Sequence, residues 1–391
     1  MNADVLIVGA GPVGLSLARS LSGQGLSIVL IDSQGHEALA APAADGREIA
    51  LTHASQQILQ QLGIWAHFRA DEIAPLRDAQ VLDGASPQAL KIRAAAAGEE
   101  RLGCLVPNQV IRRAAFAAVS ECPDVRLLPQ TRLDELQCTE QAVHAVLSDG
   151  QALQARLVVA ADSRFSETRR RPGIAARMED FGKSMLVCRM NHELSHDQVA
   201  WEWFGYGQTL ALLPLNGNCA STVLTLPPAE ITRMMNLDAQ AFAEDMQRRF
   251  DGRLGQMELI GERHVYPLVG VFAERFCGLR AALVGDAAVG MHPVTAHGFN
   301  FGLQSQKRLS DALLQALQQG RDIGDPGVLR GYASAHRRAS WPLYQATSLL
   351  VRMYTDDRAP ARLLRKAGLS LAQKLPPLKW ALARHLTQVA S

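Results

Sequence analysis

The 391-residue sequence has few of the residues that mark disulfide-rich or zinc-binding proteins. Its six cysteines are scattered along the chain and form no Cys-x-x-Cys pair. A disulfide framework or a zinc site is therefore not expected, and reduced thiols are the simpler interpretation. These cysteines are Cys104, Cys122, Cys138, Cys188, Cys219 and Cys277.

An excess of charge of one sign and long apolar runs are also lacking. The formal net charge is only +2 and no basic patch contains interleaved aromatics, so a nucleic-acid partner is not expected. No apolar stretch approaches the roughly 20 residues that span a bilayer. The chain enters a strand at Asp4 without the features of a signal peptide. We therefore expect a cytoplasmic protein whose membrane contact, if any, is peripheral and at the inner face.

The first 32 residues predict a nucleotide-binding βαβ unit. An apolar strand, a Gly-x-Gly-x-x-Gly turn, a helix and a second strand follow one another, and Asp32 ends the second strand. Gly9 permits the sharp turn, Gly11 lets N–H groups approach a pyrophosphate, and Gly14 lets the helix lie close to the strand. Asp32 can accept hydrogen bonds from ribose hydroxyls. The unit predicts a bound ADP moiety and leaves NAD and FAD as alternatives.

The rest of the chain predicts an α/β fold that contains an inserted sheet. A helix is expected within residues 47–68, another at 109–120, and a meander of strands between 125 and 161. Residues 181–267 are rich in strand patterns, at 184–190, 199–204, 209–214 and 221–226, with one helix at 238–250. Antiparallel strands between two segments of a nucleotide-binding domain indicate a second domain on one face.

A second strand–turn–helix is expected around Gly285-Asp286, with the helix starting near Gly298. A carboxylate at Asp286 can bind a ribityl hydroxyl. The N–H groups at the start of the helix can stabilise negative charge on a reduced isoalloxazine ring. The alternative, from spacing alone, is another α/β crossover in which the acid caps the helix.

These motifs, in this order, resemble the FAD-dependent aromatic hydroxylases of the p-hydroxybenzoate hydroxylase fold. Three segments are similar to the ubiquinone-biosynthesis hydroxylases of the UbiH/UbiF/VisC type, most closely to the UbiM branch. They are Asp-Gly-Arg-Glu-Ile-Ala-Leu at 45–51, His-Pro at 292–293 and Gly-Phe-Asn-Phe-Gly at 298–302. The resemblance covers roughly residues 3–345.

The resemblance implies a Rossmann-like FAD-binding domain of the glutathione reductase type with a β-meander. It also implies an inserted, mainly antiparallel substrate domain and a helical C-terminus. The expected bounds are 1–70, 100–178 and 268–340 for the FAD-binding domain, 71–99 and 179–267 for the substrate domain, and 341–391 for the helical segment.

The resemblance also implies which residues would hold FAD, whose own chemistry makes a catalytic side chain or a metal unnecessary. Arg47 and Arg112 would reach toward the pyrophosphate, and the alternative for both is a solvated helix face. His292, Pro293 and His297 are the candidates for residues that face the flavin ring. The implied cofactor-binding residues are Gly9, Gly11, Gly14, Asp32, Arg47, Arg112, Asp162, Asp286, Pro293, Gly298, Phe299 and Asn300.

The chain departs from the family pattern at Ser163, where the family has glycine, and at Val289, where it has histidine. A serine disfavours the positive φ that glycine adopts freely, which weakens the case for a phosphate-binding role of this loop. Arg164 and Arg169 either contact phosphates or pair with Glu167.

Aromatic and leucine side chains are concentrated at residues 201–213. Core packing explains such a stripe, and the alternative is a channel for a polyprenyl tail. Residues 361–391 contain six Lys or Arg and no Asp or Glu, mixed with leucines. This pattern suits an amphipathic helix on an anionic membrane, and the alternative is a capping helix with a solvated basic face.

The resemblance implies a flavin monooxygenase that hydroxylates the aromatic ring of a polyprenylated phenol in ubiquinone biosynthesis. NAD(P)H would be the transient reductant, O2 the co-substrate and a flavin C4a-hydroperoxide the oxygen donor. The expected partners are the phenol, the membrane surface and a protein complex of the same pathway. Two alternatives stay open: a hydroxylase of a small soluble phenol, and a non-catalytic FAD-binding subunit of a biosynthetic complex.

Overall fold

The computed structural model describes residues 1–84, 89–205, 207–291 and 298–355. Within these residues the strands form two large sheets and one small one. The strands are β1 (Asn2–Val8), β2 (Ile28–Ile31), β3 (Glu48–Leu51), β4 (Ala74–Leu76), β5 (Asp78–Asp83), β6 (Leu90–Arg93), β7 (Gly103–Pro107), β8 (Val125–Leu128), β9 (Leu133–Cys138), β10 (Val143–Leu147), β11 (Ala152–Ala160), β12 (Ala176–His192), β13 (Val199–Phe204), β14 (Thr209–Pro214), β15 (Cys219–Leu226), β16 (Met257–Ala273), β17 (Cys277–Gly278), β18 (Ala281–Leu283) and β19 (Val289–Gly290). The helices are α1 (Pro12–Leu21), α2 (His36–Ala40), α3 (His53–Gln61), α4 (Asn108–Ser120), α5 (Glu167–Arg170), α6 (Pro228–Met235), α7 (Ala239–Arg249), α8 (Gly298–Gln318) and α9 (Pro326–Thr355).

The first large sheet contains the predicted βαβ unit. Its order is β17-β18-β11-β1-β2-β8, and β18, β11, β1, β2 and β8 run parallel. Strand β1 lies between two parallel neighbours, and Val5, Leu6 and Ile7 are fully buried. Burial on both faces explains why these strands are continuous apolar runs. Pro12 begins α1, where its missing N–H costs nothing. The predicted meander is present as β9, β10 and β11, with β10 antiparallel to both neighbours.

The second large sheet has the order β19-β16-β12-β15-β14-β13-β5-β6 and is antiparallel except where β13 meets β5. Side chains alternate between its faces. Leu210 and Leu212 of β14 pack into a buried cluster that also contains Phe242 and Met246 of α7. Residues on the opposite face, such as Ala211 and Leu213 of β14, line a cavity that the loops of the first sheet also line.

Residues 47–68 do not form the single helix that the sequence predicts. Residues Glu48–Leu51 are strand β3, which pairs antiparallel with β7, and α3 begins only at His53. The side chain of Thr52 caps α3 by accepting a hydrogen bond from the N–H of Ser55. The conformation of residues 48–51, which precede this cap, is therefore determined by pairing with the buried strand β7 and not by local apolar spacing.

The sequence also predicts the long strands incompletely. Strand β12 spans 17 residues although only 184–190 are expected as strand, and β16, also of 17 residues, is not predicted. The first half of β16 carries Glu258, Glu262 and Arg263 at exposed or half-exposed positions, so it lacks the two-residue apolar alternation of a strand. Helix α6 is likewise absent from the prediction.

Two expectations concern membranes and the C-terminus. Among the helices of the described ranges, none has both the length and the apolar character needed to cross a bilayer. The segment 361–391, for which the sequence predicts a basic amphipathic helix, lies outside the described residues.

Candidate functional site

A cavity of about 920 Å³ lies between the two large sheets. One wall is formed by loops that follow the carboxyl ends of parallel strands, including the turn after β1 and the loop after β11. Ligands of open α/β sheets bind at this edge. The opposite wall is a largely apolar face of the second sheet. That face includes Met185, Val187, Ala211, Leu213 and Val223.

The glycines of the first turn are required for different reasons. Gly9 has φ +107°, and a Cβ there would lie 2.6 Å from the carbonyl oxygen of Ala161. A Cβ on Gly14 would lie only 2.0 Å from the carbonyl oxygen of Gly9. Gly11 differs, because no atom of the described residues lies within 4 Å of its would-be Cβ. Gly11 lines the cavity, so the open space beside it is a cradle that fits the close approach of the predicted pyrophosphate.

Asp32 and Arg112 lie at the same end of the cavity. The Asp32 carboxylate accepts hydrogen bonds from the N–H of Ala10 at 2.7 Å and of Gln34 at 2.8 Å. Arg112, on α4, donates to the side-chain oxygen of Gln34 at 2.8 Å. These bonds orient both side chains at the cavity wall, and their contacts with ribose and pyrophosphate stay predictions.

Arg47, the residue just before β3, is held by two contacts. It forms an ion pair with Asp45 at 2.6 Å, and its guanidinium lies 5.4 Å from the centre of the Tyr266 ring. Burial acts to raise the pKa of Asp45, but the hydrogen bond and charge of Arg47 outweigh it and lower the pKa below its ordinary value. Tyr266 donates to the carbonyl oxygen of Asp45 at 2.7 Å. The alternative of a solvated helix face is wrong for Arg47, because the residue precedes a strand and lines the cavity.

Asp286 lies beside the cavity and forms an ion pair with Arg164 at 3.1 Å. The pairing of Arg164 with Glu167 that the sequence leaves open is therefore replaced by one with Asp286. Arg169 is buried and donates to the carbonyl oxygens of Arg164 and Ala287. The two arginines thus join the loop after β11 to the Gly285-Asp286 turn.

The Asp162 carboxylate caps the short helix α5. It accepts from the N–H of Thr168 at 3.0 Å and from the hydroxyl of Ser166. Its contact with a cofactor stays a prediction. Ser163, which follows it, has φ +80°. The chain keeps the left-handed conformation expected of glycine here, although a serine occupies the position.

Replacing Ser163 with glycine is expected to raise the free energy of unfolding by up to about 1 kcal/mol, because glycine adopts a positive φ without the steric penalty. Urea unfolding of the FAD-loaded protein measures this difference. The matched control is Ser120→Gly at the end of α4, which is expected to lower stability by a few tenths of a kcal/mol. A Ser163→Gly variant less stable than the wild type would contradict the interpretation that the positive φ of Ser163 is strained.

The start of α8 contributes Gly298 and Phe299 to the cavity wall. Asn300 is buried, and its side-chain amide donates to the carbonyl oxygen of Ala50 at 2.8 Å and accepts from the N–H of Thr52 at 3.2 Å. Its side chain therefore joins α8 to β3 and to Thr52, the residue that follows that strand. Contact of the backbone N–H groups with a flavin stays a prediction. The ring-facing candidates His292, Pro293 and His297 lie outside the described residues.

Two acidic residues of the cavity wall are missing from the sequence prediction. Glu48 forms an ion pair with Arg189 at 2.6 Å, and burial raises its pKa to about 6 despite the opposing charge of Arg189. Glu202, on β13, has its pKa raised to about 8 by burial. The signal for Glu202 is its place in Trp-Glu-Trp-Phe, where an acid interrupts an apolar strand.

Comparison with known proteins supplies the family. The family described as FAD binding domain matches residues 2–347. The ubiquinone hydroxylase UbiM of Neisseria meningitidis is 45% identical over 99% of this chain and 85% of its own length. The chain belongs to the ubiquinone hydroxylase family of FAD-binding proteins. Another member, the ubiquinone hydroxylase UbiL of Rhodospirillum rubrum, is 38% identical over 98% of this chain and 89% of its own length.

Solved structures share the fold of this ubiquinone hydroxylase family member. The p-nitrophenol 4-monooxygenase PnpA of Pseudomonas putida matches with a TM-score of 0.79 at 18% identity, over 99% of this chain and 98% of its own. PqsL, a probable FAD-dependent monooxygenase of Pseudomonas aeruginosa, matches with a TM-score of 0.74 at 22% identity, over 94% and 99%. The predicted fold class, family and FAD cofactor are confirmed. The protein is an FAD-dependent monooxygenase.

Proposed function

We propose that the protein hydroxylates the aromatic ring of a polyprenylated phenol in ubiquinone biosynthesis. The observation that carries this proposal is the single cavity that joins the glycine turn of the first sheet to an apolar face of the second. One end has the glycines and the acidic residue that are expected of a dinucleotide site, and the other can take an apolar molecule. The relatives' names, two ubiquinone hydroxylases, point to the same substrate class.

The residues of the first wall would hold FAD. Gly9, Gly11, Gly14 and Asp32 would hold its ADP half, Arg47 and Arg112 its pyrophosphate, and Asp286 its ribityl chain. The chemistry supplied by bound FAD is acceptance of hydride from NAD(P)H and transfer of one oxygen atom from O2 to the ring. The remaining implied contacts are Asp162, Pro293, Gly298, Phe299 and Asn300.

The second sheet would hold the substrate. Met185, Leu213 and Val223 present aliphatic surface to the cavity, so a bound ring displaces water there. Exclusion of water protects a reactive oxygen donor from breakdown before transfer. We propose the same division for the chain: residues 71–99 and 179–267 serve the substrate, and 1–70, 100–178 and 268–340 serve FAD.

The visible spectrum tests this function. Purified protein is expected to absorb near 450 nm, and anaerobic NADH or NADPH is expected to bleach the band faster when a prenylated phenol is present. In air, a hydroxylated product should form in proportion to the NAD(P)H consumed. Equal stimulation by a small soluble phenol would favour that substrate class instead. Bound FAD without product from any phenol would indicate a non-catalytic subunit.

We also propose that the protein contacts the inner face of an anionic membrane through residues 361–391. The six cations and the absence of acids in this segment support the proposal, since polybasic segments with apolar residues bind anionic lipids. The full chain should sediment with vesicles that contain phosphatidylglycerol but not with pure phosphatidylcholine vesicles. High salt should release the protein from these vesicles. Equal sedimentation with anionic and with neutral vesicles would contradict the proposal.

A further inference from the structure

Strand β13 presents a carboxyl group to the cavity. Side chains alternate along it, so that Trp203 packs into the buried cluster behind the sheet, whereas Glu202 and Phe204 face the cavity. The cross-strand neighbour of Glu202 on β14 is Ala211, and its neighbour on β5 is Val81. Ala211, whose side chain is only a methyl group, lines the cavity together with Glu202.

The Glu202 carboxyl group lies there without a partner of its own. In the described part of the chain no hydrogen bond or ion pair involves it. Burial raises its pKa to about 8, and no described charge offsets the effect. The titratable or charged groups that line the same cavity include Lys183 on β12, Tyr266 on β16, Arg47 and Glu48 at β3, and Asp286 with Arg164 on the other wall. The neighbouring strand β5 carries Asp78 and Asp83. Glu202 is half-buried at the cavity wall. A desolvated polar group without a partner is costly, and a ligand that pairs with it from the cavity would offset this cost.

We infer that Glu202 binds the phenolic hydroxyl of the substrate and accepts its proton. The inference rests on the proposed function, because it needs a phenol in the cavity. In this step the O–H bond of the phenol breaks and an O–H bond to the carboxylate forms, while the electron pair stays on the phenolate oxygen. The phenolate donates electron density into the ring, which prepares the ring for attack by an electrophilic oxygen.

The acid–base balance suits this transfer. A phenol has an ordinary pKa near 10, and an ordinary glutamate, near 4.3, is a poor base for it. Burial brings the pKa of Glu202 to about 8, much closer to that of the phenol. General-base catalysis is most effective when the pKa of the base lies near the working pH, so the apolar setting of β13 makes Glu202 a better base.

The variant Glu202→Gln tests the inference. For the FAD-loaded wild type, kcat/KM with a prenylated phenol should rise with pH through a midpoint near 8, since the carboxylate is the active form. The glutamine variant should show no such rise with pH. Its kcat/KM at pH 8.5 should be about 10²–10⁴-fold lower than that of the wild type. Glu202→Asp should retain a rise. Glu258→Gln, at an exposed glutamate of the same sheet, is the matched control and should behave as wild type.

A second readout does not depend on turnover. When the phenol binds wild-type protein at pH 8.5, its ultraviolet spectrum should show the red shift of phenolate, and Glu202→Gln should bind it as the neutral phenol. If Glu202→Gln kept the wild-type pH profile and phenolate band while the wild type hydroxylated normally, this inference would be overturned but the proposed function would stand. A wild type that neither binds nor hydroxylates any phenol would overturn the proposed function. Removal of an unpartnered carboxyl group should not impair folding, and a retained flavin spectrum verifies this.

Discussion

Gly14→Ala is expected to prevent FAD retention and to lower the free energy of unfolding by about 3 kcal/mol or more. The new Cβ would lie 2.0 Å from the carbonyl oxygen of Gly9, and that oxygen belongs to backbone that cannot move without opening the turn. Gly9 in turn lies against Ala161 and has φ +107°, so a shift is resisted from both sides. Urea unfolding and the flavin absorbance of the purified variant measure the two losses.

Gly11→Ala is the matched control for this prediction. Because no described protein atom lies within 4 Å of its would-be Cβ, the change should leave the stability of the FAD-free protein within about 0.5 kcal/mol of wild type. The same methyl group would occupy the cradle where a pyrophosphate approaches, so FAD affinity should fall at least tenfold. If both variants lost stability, or if neither variant lost FAD, the turn would not be a ligand cradle.

Arg189→Met is the second change with a large expected effect, a loss of about 3–5 kcal/mol in the free energy of unfolding at pH 8. Glu48, its partner at 2.6 Å, has a side chain only 1% exposed. Loss of the guanidinium would leave this carboxylate buried without an opposing charge. The second carboxylate oxygen of Glu48 already has no hydrogen-bond partner within the described residues. We therefore expect no neighbouring group to replace the hydrogen bonds that Arg189 donates.

The loss should depend on pH. The pKa of Glu48 is about 6 in the folded protein against 4.5 in the unfolded chain, and removal of Arg189 raises the folded value further. The folded state then binds more protons than the unfolded state above pH 4.5, so stability falls as pH rises. The variant should therefore approach wild type near pH 4.5 and differ most at pH 8. Adding Glu48→Gln should restore most of the loss, and a loss independent of pH would contradict the buried charge.

Much of the fold could be predicted from local patterns. The parallel strands of the first sheet are predictable because burial on both faces leaves a continuous apolar run, as in β1. Strands β13 and β14 match their expected bounds because one buried face produces clear alternation. Strand β3 could not be predicted in this way, since its conformation depends on β7, some 50 residues later in the chain.

The candidate site was predictable where glycine geometry or a helix start decides it, as at Gly9 and Gly14. It was not predictable where partners meet only after folding. Asp286 pairs with Arg164, 122 residues away in the chain, and nothing local marks that pair. Glu202 is similar, because its lack of a partner depends on the neighbouring strands, which place Ala211 and Val81 opposite it.

The order of strands in the first sheet also determines the order in which a growing chain can assemble. Leu6 of β1 pairs with Val158 of β11, and Val158 pairs in turn with Ala281 of β18. A ribosome therefore completes every strand of the second sheet except β19 before the strand that leads to Asp286 exists. Until then the apolar edge of β11 has no neighbour, and such long-range parallel pairing forms slowly and exposes the nascent chain to aggregation. Chains truncated before residue 281 therefore lack the Gly285-Asp286 turn and the start of α8, which are two parts of the cavity wall.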